Sequence, residues 1–277
     1  MLISGDAHFP PARPTPLQPI QAATDVHGVD ASAYAFAHGV RHTRSTLRAW
    51  QRRPGAILGR WLAGSALAAF GLLAAVLLVA ALSPRYLQVV SLEPPFAVGD
   101  GADVLRVLAH NLLVLALHAM ACVAGFIAGS SLPLQASSRS GLSRWVHTHG
   151  GRIAIVFVVC ATAFSLSIQA YTLGHTLAGV ARFLNVSPPL LLLGVLPHAI
   201  PELIALFLPL AAWIIASRRG EWEQLLAATF VTVAIAVPIL VIAALIEVYV
   251  SPHLFTALTG IHTPIVRYSE GWTVTVH

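Results

Sequence analysis

"LLLGVLPHAIPELIALFL", residues 191–208, is an apolar run interrupted by Pro197, His198, Pro201 and Glu202. Burying a carboxyl among leucines costs free energy unless it is paired or hydrogen-bonded. Each proline removes a backbone donor and crowds the carbonyl four residues earlier. Ionisable residues inside apolar spans usually face the interior of a bundle and mark functional sites. His198 and Glu202 are four apart, so a helix would put both on one face. Irregular backbone at membrane depth survives only against protein or a water cavity. The stretch therefore reads as a helix break at Pro197 and Pro201 that aims His198 and Glu202 inward.

The rest of the chain supplies the membrane. Of its 277 residues 57% are hydrophobic and 10% charged, with a mean hydropathy of +0.77. A soluble domain carries about 25% charged residues, so this is an integral membrane protein. All 16 basic residues are arginine. They gather at the edges of apolar runs, so the net charge of +5 reflects topology and no nucleic-acid partner is expected. Cys122 and Cys160 both lie inside apolar runs, which excludes a disulfide framework outside the bilayer. The first residues lack the apolar core of a cleavable signal, so the first span is expected to direct insertion.

Four regions follow. Residues 1–29 are Pro-rich and aperiodic, and read as a disordered tail. Residues 30–55 read as a basic amphipathic juxtamembrane helix. Phe36, Val40, Leu47 and Trp50 lie on one face beside a stripe of Arg41, Arg44, Arg48 and Arg52. Residues 56–252 form the transmembrane bundle, with spans near 57–82, 104–132, 153–173, 188–217 and 225–250. Residues 253–277 are a C-terminal tail whose "WTVTVH" alternates like a short strand. Arginines concentrate before the first span, between 139 and 152, and at Arg218 and Arg219. The positive-inside rule then puts the N-terminus in the cytoplasm and the C-terminus outside after five crossings. The expected fold is an all-α membrane protein of about five transmembrane helices, the fourth broken or partly re-entrant at Pro197–Glu202.

Glu202 and Glu247 are the acids within the apolar segments. The second span offers a matching face of Asn111, His118, Cys122, Gly125 and Gly129. Its glycines let a neighbouring helix approach closely. The third span offers Thr162, Ser165, Gln169 and Thr172. Asn111, His118, Gln169, His198, Glu202 and Glu247 are therefore expected as an intramembrane polar cluster. Such a cluster can staple the bundle, carry a proton or ion, or bind a metal through His198, Glu202 and Glu247. HExxH, GxGxxG, Walker-A and GxSxG patterns are missing, so no catalytic residue is assigned and no cofactor is expected beyond that metal.

Three stretches resemble the stage II sporulation protein M family of bacterial integral membrane proteins. "HNLLVLALHAMACVAGFIAG" is similar to its second span, at Asn111, Gly125 and Gly129. "LLGVLPHAIPELIALFLP" is similar to its Pro-His-Gly-x-x-Glu segment, at Pro197, His198 and Glu202. "IAALIEVYVSP" is similar to its closing segment, at Glu247 and Pro252. The likeness covers about residues 57 to 255. Ala199 stands where the family has glycine, and "FLPLAAWIIASRRGEW" replaces its small residues after the glutamate. The resemblance implies a bacterial inner-membrane scaffold that helps assemble peptidoglycan-remodelling enzymes.

The leading expectation is thus a non-enzymatic scaffold or subunit of a cell-envelope assembly. Its expected partners are the lipid bilayer, other membrane or cell-envelope proteins, and a second copy in a homodimer. A transporter or permease-like subunit is the alternative, and a metal-dependent intramembrane hydrolase the third reading. A cavity joining the acids would favour the second; a dry, fully paired cluster would favour the first.

Overall fold

Turn chemistry lays out the helices. The computed structural model describes residues 43–51, 54–83, 98–127, 140–260, 265–268 and 271–274. The tail 1–29, most of the 30–55 helix and Gly129 lie outside them. The described part of that helix is α1, over 43–51, with Arg44 and Arg48 exposed and Trp50 half-buried. Then come α2 (Pro54–Leu82), α3 (Gly101–Phe126), α4 (Gly141–Phe183), α5 (Pro188–Arg219) and α6 (Leu225–Leu245). A π-helical turn, Ile246–Val250, leads into α7 (Ser251–Thr259). Two short strands, β1 (Ile265–Tyr268) and β2 (Gly271–Val274), pair antiparallel with Ile265 opposite Val274. Among the described residues, five helices are long and apolar enough to cross a membrane.

The turn between α4 and α5 is legible residue by residue. Asn185 takes a left-handed φ of 54°, a conformation asparagine tolerates. Val186 N–H donates to the Ala181 carbonyl at 2.8 Å and Asn185 N–H to that of Arg182 at 3.1 Å, a Schellman closure. Ser187 is extended before Pro188, and Pro188 opens α5 where its missing N–H has no helical partner to lose. Gly220, with φ 71°, ends α5 in the same way. Asp100 and Asp103 form a capping box at the start of α3.

The break expected in the fourth span is not confirmed. α5 is one helix of 32 residues that runs through Pro197, Pro201 and Pro209. A membrane helix absorbs proline when neighbours take up the loosened carbonyls. Donors from α3 do reach carbonyls of α5 beside its third internal proline, Pro209. His118 Nδ1 donates to the Leu206 carbonyl at 2.7 Å, and Cys122 Sγ donates to the Pro209 carbonyl at 3.2 Å. His118→Phe keeps an aromatic ring beside Phe207 but removes the donor to the Leu206 carbonyl. It is expected to lower unfolding stability by about 1–3 kcal/mol, read as an earlier thermal transition in detergent.

α5 is the axis of the bundle. It packs against α2, α3, α4, α6 and α7, and it is the most buried of the five spans, with 15 of its 32 residues buried. Phe207, Leu210 and Trp213 join Leu72, Val76 and Phe126 in the largest core cluster. Leu208 and Ala212 meet Trp61 and Ala228, while Ala205 and Leu206 meet Leu115, Ala236 and Leu240. On α2 the buried face is Trp61, Ser65, Ala69, Leu72, Val76 and Ala80.

Two helices run further than their apolar windows implied. α4 begins at Gly141, twelve residues before the expected start of the third span at 153, and continues to Phe183. The last span runs through the π turn and past Val250 to Thr259. In both cases helical hydrogen bonding carries on into sequence too polar, or too rich in β-branched residues and proline, to read as span.

Candidate functional site

A cavity of about 780 Å³ opens between α2, α4, α5, the π turn and α7. Leu72 and Val76 of α2 and Leu173, Leu177 and Val180 of α4 form its apolar walls. Gln169, Thr176, His198, Glu202 and Glu247 supply its polar groups. Glu202 stands near the middle of α5, so the polar groups lie at membrane depth.

Each acid is placed by identifiable local structure. Glu247 sits in the π turn, a widened helical geometry often found at functional sites. Pro252 has no N–H to offer the Val248 carbonyl four residues earlier. The Gly99 N–H donates to that carbonyl instead, at 3.4 Å. A Cβ at residue 99 would lie 2.8 Å from Val248 Cγ1, so glycine permits the approach. This contact ties the start of α3 to the π turn. Three helical turns on, α3 brings the buried Asn111 side chain to the Glu202 carboxyl. The interaction is incomplete, since Asn111 Nδ2 forms no hydrogen bond of good geometry.

His198 is buried and shares a 2.7 Å hydrogen bond between its Nδ1 and Ser251 Oγ. Its partner is thus the first residue of α7 and not Glu202, although both line the cavity. Glu202 and Glu247 stand within electrostatic range of each other. Two carboxyls facing one space in a low dielectric favour a proton or a cation between them. Among the described residues, no three His, Cys, Asp or Glu side chains stand together as a metal-holding group. His198, Glu202 and Glu247 therefore share a cavity without forming a ligand set.

The other sequence candidates are dispersed. His118 bonds the α5 backbone near Phe207, away from the acids. Gly125 is buried against Trp213 and Leu225. Pro197 is exposed and Pro201 half-buried. Gln169 lines the cavity but is exposed, donating to Ser165 Oγ at 3.3 Å. Ser165 and Thr172 are exposed as well, so the polar stripe of α4 does not turn inward. Its buried face is Ala170, Gly174, Ala178 and Ala181. A Cβ on Gly174 would sit 2.6 Å from Val79 Cβ on α2. Small residues at spacings of 4, 4 and 3 were the available signal for that face. Ser251 and Thr176 were missed because neither has a sequence neighbour that marks it.

Long apolar helices packed together define a multi-pass α-helical membrane protein, here with a few polar groups in a largely apolar cavity. Residues 150–252 match the family model for Stage II sporulation protein M. The matched stretch carries His198, Glu202, Glu247 and Pro252, and it supports the family resemblance; Asn111 and Gly125 lie before it. No curated protein and no solved structure matches the chain.

Proposed function

We propose that the protein is a permease-like subunit of the bacterial inner membrane whose cavity takes up a proton or small cation at Glu202 and Glu247. One observation carries this reading. The two acids and His198 line a space of about 780 Å³ at membrane depth. Groups serving only as staples belong in a dry, fully paired cluster, because each unpaired buried polar group is costly. Here the contact between Asn111 and Glu202 is poorly formed, and both carboxyls border open space. The arginine distribution supports a cytoplasmic N-terminus and an outside C-terminus.

A scaffold role in a cell-envelope assembly is the second reading. The observation favouring it is α4, the least buried of the five spans. That exposure leaves a long face for lipid, for other envelope proteins or for a second copy.

Proteoliposomes separate the two. With an imposed proton, Na⁺ or K⁺ gradient, the purified chain is expected to dissipate at least one faster than protein-free vesicles do. Equal rates with and without protein for all three ions overturn the permease reading.

A further inference from the structure

A second, smaller cavity of about 240 Å³ lies at the opposite end of α5 from its N-terminal Pro188. Its polar lining is Arg60, Arg219, Glu221 and Gln224, and its aromatic wall is Trp50 and Trp61. The indoles meet edge to face, with centroids 5.1 Å apart. Three spans end around it: one begins at Ile57, one ends at Arg219 and one begins at Trp222. The cavity is therefore at headgroup level, where tryptophans anchor membrane proteins.

Its charges are unusual for a structural cluster. Two guanidinium groups and one carboxylate line one small space. Among the described residues, Arg60, Arg219 and Glu221 take no part in an ion pair. Arginine pairs bind phosphate oxygens in a planar, two-pronged manner that suits a phosphodiester. A carboxylate beside such a pair weakens a purely anionic ligand and favours one that also carries a positive group.

We propose that this pocket binds the headgroup of a phospholipid bearing a phosphodiester and a primary ammonium, phosphatidylethanolamine. Arg60 and Arg219 hold the phosphate, Glu221 faces the ammonium, and Trp50 packs on the glycerol region. The site is independent of the membrane-depth cavity and stands or falls without it.

Native mass spectrometry of the full chain, released from mixed-lipid micelles, tests the proposal. The wild-type chain is expected to retain phosphatidylethanolamine over phosphatidylglycerol, which lacks the ammonium, and over phosphatidylcholine, whose ammonium cannot donate a hydrogen bond. Glu221→Gln, a change outside the core, is expected to abolish that order while lipid is still retained. Arg60→Ala with Arg219→Ala is expected to weaken retention of all three by about tenfold or more. Equal retention of the three lipids by the wild-type chain, or an unchanged order in Glu221→Gln, overturns the proposal. Displacement of the lipid by millimolar inorganic phosphate also overturns it, by assigning the arginines to a soluble anion.

Discussion

Replacing Glu202 by leucine is expected to leave the bundle folded and to end ion dissipation in proteoliposomes. The carboxyl makes one polar interaction, with Asn111, whose Nδ2 forms no hydrogen bond of good geometry. His198 keeps its bond to Ser251 in the variant. The change also removes a carboxyl from an apolar setting and its repulsion with Glu247. The net effect on stability is expected within about 1 kcal/mol, since lost burial of a poorly paired polar group offsets the lost contact. Glu202→Gln keeps the shape and is expected to behave alike, folded and without flux. If the leucine variant fails to assemble, Glu202 is a structural staple. If it assembles and still dissipates the gradient, Glu202 plays no part in ion uptake.

Gly125→Leu is expected to produce the largest loss of stability. A Cβ at this position would overlap the Trp213 indole nitrogen, and would lie 2.9 Å from Trp213 Cδ1 and 3.2 Å from Leu225 Cδ1. Trp213 is 1% exposed and belongs to the main core cluster between α2, α3 and α5, so it has nowhere to go. Overpacking a closed core costs about 1–3 kcal/mol, and a whole leucine side chain belongs at the upper end or beyond. Fluorescence-detected size exclusion after heating reads the result. A melting temperature equal to that of the wild-type chain would mean that α3 and α5 separate freely at this level. Pairing Gly125→Leu with Trp213→Ala is expected to recover part of the loss.

The membrane character and the five spans were legible because apolar length is a property of the sequence alone. The α4–α5 turn was equally legible after the fact, since asparagine, serine and two prolines each enforce a known backbone geometry. The course of α5 was not. Proline at 197, 201 and 209 predicts a break only if the loosened carbonyls find no donors elsewhere, and that depends on the neighbouring helices. His118 and Cys122 of α3 meet α5 carbonyls across the bundle. Distant pairing of this kind has no local signal. Side-chain spacing also misled at α4, where polar residues suggested the inward face. The inward face is instead the smallest one, because close approach of α2 to Gly174 decides which side packs. The partnership of His198 with Ser251 follows from α7 extending the last span, which the hydropathy window hid.

Thiol accessibility tests the central claim, a cavity at membrane depth that admits charged solutes. Cys122→Ser keeps a donor for the Pro209 carbonyl, and Cys160→Ala removes an exposed thiol. In that background Ala199→Cys places a thiol on the cavity wall, while Leu193→Cys places one on the exposed outer face of the same helix. A small, water-borne cationic thiosulfonate is expected to modify the cysteine at 199 and to leave that at 193 unreacted in lipid vesicles. No reaction at 199, or the same rate at both positions, would contradict a solute-accessible cavity and with it the role given to Glu202 and Glu247.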